Sequence, residues 1–226
     1  MGSIYGRSPF WTSRTDFHSD RAAYCLYGLP SPRRPAAVKG FIVSRVSREL
    51  DDEEVAALLE NCVPAARLFS HLMLRGLTAE ESLTLKAVNL EPSTKAITVD
   101  GPAARTLSLD AGFFDYLVSI AATDNLGLVA ALGEKALTIP ELEVQLLYAA
   151  HDAGIDEPSE VTSEALRHTC AAHLARQGVR LAELAKLMGP LDAAQARNLS
   201  AMAPAGRRLN LDEVERMVKV AVWPPS

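Results

Sequence analysis

Apolar residues settle into helical spacing just beyond Ser47. Val55, Leu58, Leu59 and Cys62 stand at i, i+3, i+4 and i+7, a stripe along one helix face. Asp51-Asp52-Glu53-Glu54 places carboxylates in the first turn, where the helix dipole favours them. Pro64 opens a second helix with Leu68, Leu72 and Leu74 apolar, ending at Gly76. Thr78-Ala79-Glu80-Glu81 has the spacing of a capping box and predicts a short helix through Leu85.

The period then changes. Residues 96–99 and 106–109 alternate apolar and polar across Asp100-Gly101-Pro102, which predicts an antiparallel hairpin. Asp110 is placed to cap a helix carrying Phe113, Phe114, Leu117 and Ile120. Residues 124–137 carry no pattern that selects an element. Thr138 and Pro140 start a helix containing Leu142, Val144, Leu146, Leu147 and Ala150, which stops at Gly154. Thr162 or Ser163 caps the next, which runs to Gly178; after a tight turn, residues 180–188 form another, ended by Gly189. Asn210-Leu211-Asp212-Glu213 caps a last helix through Val222, with Leu211, Val214, Met217, Val218 and Val222 apolar. The expected fold class is mainly α with a small antiparallel β-ribbon.

Residues 1–46 show no sustained period. Pro9, Pro30, Pro32 and Pro35 fix φ and remove backbone donors, so the segment reads as an extended arm or linker. Aromatic residues gather there: Tyr5, Phe10, Trp11, Phe17, Tyr24 and Tyr27. The expected division is an arm at 1–46, a core at 47–200 and a tail with its helix at 201–226.

Composition narrows the class. The 226 residues are 48% hydrophobic and 23% charged, ordinary for a globular protein, which excludes wholesale disorder and collagen-like repeats. Three cysteines, Cys25, Cys62 and Cys170, are an odd number without close spacing; they frame neither a disulfide scaffold nor a zinc site and suit a reducing compartment. No apolar run approaches the roughly 18 residues of a spanning helix. Phosphate-binding glycine loops are also missing. The expectation is a cytoplasmic protein with no cofactor, no metal and no membrane partner.

The net charge of −5 conceals an asymmetry. Residues 1–48 carry eight Lys+Arg against two Asp+Glu, residues 49–162 six against twenty, and residues 163–226 nine against six. An acidic body is flanked by basic ends.

The most specific stretch is Ser163-Glu164-Ala165-Leu166-Arg167-His168-Thr169-Cys170, closing at Gly178-Val179 and followed by Leu184-Ala185-Lys186-Leu187-Met188-Gly189. Upstream stand Arg75-Gly76-Leu77-Thr78-Ala79-Glu80-Glu81, the hairpin, and Tyr148-Ala149-Ala150-His151. Together these resemble the catalytic domain of the tyrosine recombinase (phage integrase) family over residues 47–200. In that family one helix begins His-x-x-Arg and a shorter one ends Leu-Gly-His. The resemblance implies a mainly α catalytic-domain fold with a small sheet, and a chemistry in which a tyrosine attacks a DNA phosphodiester. Two arginines stabilise the phosphate, while a hairpin lysine and histidines move protons.

Set against that pattern, the chain departs at most positions. Thr78 stands where the first arginine belongs, and Asp100–Ala104 contains no lysine. Glu164 replaces the first histidine, Pro190 the last, and Leu199 falls where the nucleophile is expected. Only Arg167 is retained, and no tyrosine follows Tyr148. The resemblance therefore implies a degenerate member without recombinase, topoisomerase or ligase activity.

Arg167 could contact phosphate, or it could be a structural arginine paired with Glu164 or Glu81. His168 and His173 lie five apart, which does not suit a helical metal pair, and read as hydrogen-bonded residues. Cys170 reads as core, and Ser200 has no evident base beside it. Candidate DNA contacts are Arg167 together with Arg33, Arg34, Lys39, Arg207 and Arg208 on the basic ends, giving weak, salt-dependent affinity. The expected function is an inactive accessory or regulatory factor in DNA recombination, associated with the nucleoid if it binds DNA. The other reading is a protein-interaction module that has lost DNA binding and self-associates through the C-terminal helix or joins an active recombinase.

Overall fold

The capping chemistry written in the sequence sets the helix starts in the computed structural model of the chain, which describes residues 47–101, 103–121, 127–133, 137–206 and 208–209. A division of the chain falls between Val43 and Ser44, and all described residues belong to the second unit. Helix α1 (Asp52–Asn61) begins at a capping box in which the Asp51 side chain accepts from the Glu54 N–H. Proline at the first position opens α2 (Pro64–Met73). Thr78 and Glu81 cap α3 (Ala79–Thr84), and Thr138 and Glu141 cap α5 (Ile139–Asp152). Between those two, the Asp110 carboxylate accepts from the Phe113 N–H at the start of α4 (Ala111–Ala121). Thr162, rather than Ser163, caps α6 (Ser163–Arg176) through its Oγ1.

The ribbon is larger than the hairpin expected. Strands β2 (Ala96–Val99) and β3 (Arg105–Ser108) pair antiparallel with Ile97 opposite Leu107. A third strand, β1 (Leu90–Glu91), adds to the edge of β2. Two residues are too short to show alternation, which is why no pattern announced it.

Helix α7 (Leu181–Met188) and a further helix, α8 (Ala193–Met202), complete the described elements. The apolar spacing in α8 is weak, and the sequence pattern did not predict it. Its signal is the capping box Asp192-Ala193-Ala194-Gln195, in which Asp192 Oδ1 accepts from the Ala194 and Gln195 N–H groups. The expected helix beyond Asn210 and the arm at 1–46 lie outside the described residues.

Helix α6 is central, packing against α2, α7 and α8. Eleven of its 14 residues are buried, so a one-sided apolar stripe is neither needed nor present. Its alanines let neighbours approach closely, and Phe69, Leu72, Phe113 and Leu146 fill the space beside them. Arg75, buried beneath α4, lies 3.8 Å over the Phe113 ring and donates to the His71 carbonyl and to Asp110. Burial, reinforced by the Arg75 charge, lowers the His71 pKa to about 3 and keeps the ring neutral. Among the described residues no helix is long and apolar enough to cross a membrane.

Candidate functional site

Three segments meet around one carbonyl oxygen. Gly76 closes the turn after α2 with φ +89°, a conformation that favours glycine. A Cβ there would come within 3.0 Å of Met188 Cγ at the end of α7. The close approach lets the Gly76 carbonyl accept from two arginines, Arg105 Nη2 at 3.2 Å and Arg167 Nε at 3.4 Å.

Arg105 reaches this point from β3. It donates to both Glu81 oxygens, at 2.6 and 2.8 Å, and to the Leu187 carbonyl at 2.7 Å. Burial alone would raise the Glu81 carboxyl; hydrogen bonds from Arg105 and the Thr78 N–H outweigh it and hold the group below the usual carboxylate range. Glu81 thus does two tasks, capping α3 and neutralising Arg105. Of the two acids the sequence offers as partners of Arg167, Glu164 stands beside it, whereas Glu81 is bonded to Arg105, which no local spacing points to.

Arg167 lies one turn into α6 and is 7% exposed. Its Nη2 donates to the Met188 carbonyl at 2.6 Å. The Glu164 carboxylate stands 3.6 Å from its Nη1 and accepts from Gln195 Nε2 on α8 at 3.2 Å. Helix α8 is therefore tied to the start of α6 through Glu164. Beside it, the Ser163 hydroxyl and N–H both donate to Glu143 of α5. Two carboxylates consequently occupy the positive end of the α6 dipole.

Between α6, α7 and α8 lies a cleft lined by Glu164, Arg167, His168, Met188, Leu191 and Leu199 among others, with a free volume of only about 10 Å³. That is at the lower edge of what one water molecule requires. Leu199, 1% exposed, points into the core. Burial lowers the His168 pKa, against the opposing pull of Glu49 and Glu164. Burial also raises the Cys170 thiol to about 12, so it packs as an inert apolar group. Among the described residues no cluster of His, Cys, Asp and Glu could hold a metal.

The structure brings some expected positions together and separates others. Arg167, Glu164 and Leu199 line one cleft, and Thr78 caps the helix beginning three residues after Gly76. At the hairpin, Asp100 accepts from Asn89 Nδ2 at 2.8 Å. Pro190 is exposed beyond Gly189, and Arg208 is exposed near the last described residue. Arg33, Arg34, Lys39 and Arg207 lie outside the described residues.

No protein-family model matches the sequence, and no curated protein is similar to it. Solved structures are. XerA recombinase aligns with 19% identity and a TM-score of 0.58, over 78% of this chain and 64% of its own. XerH site-specific recombinase, bound to palindromic difH substrate, aligns with 20% identity and a TM-score of 0.58, over 78% of this chain and 54% of its own. The catalytic domain of bacteriophage HP1 integrase aligns with 20% identity and a TM-score of 0.50, over 76% of this chain and 94% of its own. The chain thus spans between half and two thirds of the Xer proteins but nearly all of the isolated catalytic domain. Its eight described helices and three-stranded antiparallel ribbon give it the fold of the tyrosine-recombinase catalytic domain.

Proposed function

We propose that this protein is a catalytically inactive recombinase-like factor that associates with DNA in recombination or mobile-element biology. The observation that carries the reading is Leu199, buried in a filled cleft at the position where the resemblance expects a tyrosine. An aliphatic side chain has no electron pair with which to attack phosphorus, so the covalent route is closed at its first step. Glu164 places a negative charge beside Arg167, and the guanidinium is spent on Glu164 and on the carbonyls of Gly76 and Met188. In this reading Arg167 holds the floor of the domain together rather than binding phosphate.

Association with DNA is supported from two sides. Similar folds have been solved with DNA: XerH with difH substrate and the Tn1549 integrase with transposon right-end DNA. The basic ends, with Arg33, Arg34, Lys39, Arg207 and Arg208, supply the cations that a phosphate backbone attracts. The acidic body from 49 to 162 opposes wrapping of DNA across it.

A suicide DNA substrate that traps covalent intermediates tests the inactivity. No protein–DNA adduct should form; a single adduct band resistant to denaturation overturns the proposal. Electrophoretic shift with random duplex at low salt tests the association.

One observation favours a second reading, a protein-interaction module. Val144, Leu147 and Tyr148 stand at helical spacing on α5 and all three are exposed, Tyr148 at 64%. Absence of DNA binding together with a stable dimer in light scattering would select it.

A further inference from the structure

The last described residues return to the body at a defined place. Leu209 forms a single parallel β-bridge with Val179, its N–H donating to the Gly178 carbonyl at 2.9 Å and its carbonyl accepting from the Arg180 N–H at 3.4 Å. Val179 and Leu209 are both buried. Side chains alternate across a bridged backbone, so the flanking residues turn outward. The residue after Val179 is Arg180 and the residue before Leu209 is Arg208, and both are exposed. In this parallel register Arg208 stands opposite Gly178, two positions short of Arg180, so with backbones about 4.8 Å apart the two cations lie diagonally, about 8 Å apart at Cα, on one edge of the molecule.

Nothing among the described residues neutralises them. The acid nearest in sequence to Arg180 is Glu183; one of its oxygens is 3.0 Å from Lys186 Nζ and the other is buried. Among the described residues Arg208 donates only to the Pro204 carbonyl. Arg176, one turn back on α6, is committed to Glu49. Like charges repel, and two arginines held on one edge with no acid among the described residues paired to them are stabilised by an external anion.

This edge is separate from the relict cleft. The cleft lies at the start of α6, and the edge follows its end; a 14-residue helix sets them about 20 Å apart. The start of α6 is occupied by the Glu143 and Glu164 carboxylates, whereas the far end is net positive.

We propose that Arg180 and Arg208 form an off-cleft edge that binds the phosphate backbone of duplex nucleic acid. Guanidinium groups match phosphate oxygens in a bidentate fork. The edge reads no bases, so the binding is independent of sequence. The inference rests on the DNA-associated reading above and adds where the contact is made.

The test is a salt titration of the full chain on a random-sequence duplex by fluorescence anisotropy. Replacing both residues, Arg180→Ala with Arg208→Ala, should weaken binding at least tenfold at low salt. It should also make the slope of log K against log salt shallower by about 2, the loss of two phosphate contacts. Arg180 makes no side-chain cap for α7, so the substitution leaves the helix start intact. The variant Arg180→Lys with Arg208→Lys, which keeps the charge, should retain the wild-type slope. Lys86→Ala with Lys95→Ala removes the same charge elsewhere on the surface and should change the slope little. An unchanged slope in the double alanine variant, or an equal fall in the lysine control, overturns this site and leaves the DNA-associated reading standing. A polyglutamate chain competing as well as duplex reassigns the edge to acidic protein and overturns it too. Failure of the wild-type chain to bind any duplex overturns both.

Discussion

Arg105 grips Glu81 with two parallel hydrogen bonds, Nη1 to Oε1 at 2.6 Å and Nη2 to Oε2 at 2.8 Å. The pair joins β3 to α3 and, through the Leu187 carbonyl, to α7. Removing one partner strands the other as a charge with little access to water. Arg105→Ala should therefore cost about 3–5 kcal/mol of unfolding free energy. Arg105→Lys should restore little of it, because an ammonium cannot reproduce the fork. Urea unfolding measures this, and a loss below about 1 kcal/mol would contradict the role.

Arg167 separates stability from binding. Its removal leaves the buried Met188 carbonyl without a donor and takes one from Gly76. Arg167→Ala should lower stability by about 2–4 kcal/mol. Affinity for random duplex, measured on the folded variant, should stay within twofold of wild type. A variant of unchanged melting temperature that no longer binds DNA would return Arg167 to phosphate contact.

Leu199 tests the filled cleft. Leu199→Ala creates a cavity between α6 and α8 and should cost about 2–5 kcal/mol. Leu199→Tyr should cost about 1–3 kcal/mol, since the cleft has no room for a ring. It should yield no covalent adduct with a suicide substrate either, because restoring the hydroxyl restores none of the groups that would activate it. A trapped adduct from this variant would show that the rest of the site is competent.

His71 gives the fold an acid sensitivity. Its folded pKa is about 3 and its ordinary value 6.5, so the folded state keeps the ring neutral while the unfolded chain takes up a proton. The protonated unfolded state is favoured as pH falls below 6.5, and the destabilisation grows until pH reaches about 3. At pH 5 the penalty from this residue is about 2 kcal/mol. His71→Gln should lose less stability than wild type between pH 7 and pH 5. Melting temperatures at the two pH values check this, and equal losses in both proteins would contradict it.

Glu81 and Asp110 act in the same direction at lower pH. In each, burial raises the pKa and is outweighed: by Arg105 and the Thr78 N–H for Glu81, by the Phe113 N–H and Arg75 for Asp110. Their folded values lie below the unfolded ones, so their contribution is present above about pH 4 and is lost as pH falls through the folded values.

The sequence by itself determined the helix starts and the ribbon's inner pair. A capping box links residues three apart, and amphipathic spacing repeats within a turn or two, so Thr78 with Glu81 and Thr138 with Glu141 carry their own instructions. The order of these elements, with the motif around Arg167, was enough to indicate the family fold. What weak local signals carried was lost: β1 has two residues, and α8 declares itself only through Asp192 and Gln195. The site was decided by tertiary structure. Arg105 meets Glu81 across 24 residues and the Leu187 carbonyl across 82, Arg167 meets Gly76 across 91, and Arg208 comes to the same edge as Arg180 through the pairing of Leu209 with Val179. Such contacts leave no period in the chain, because a guanidinium takes whichever oxygens the packed helices bring to it.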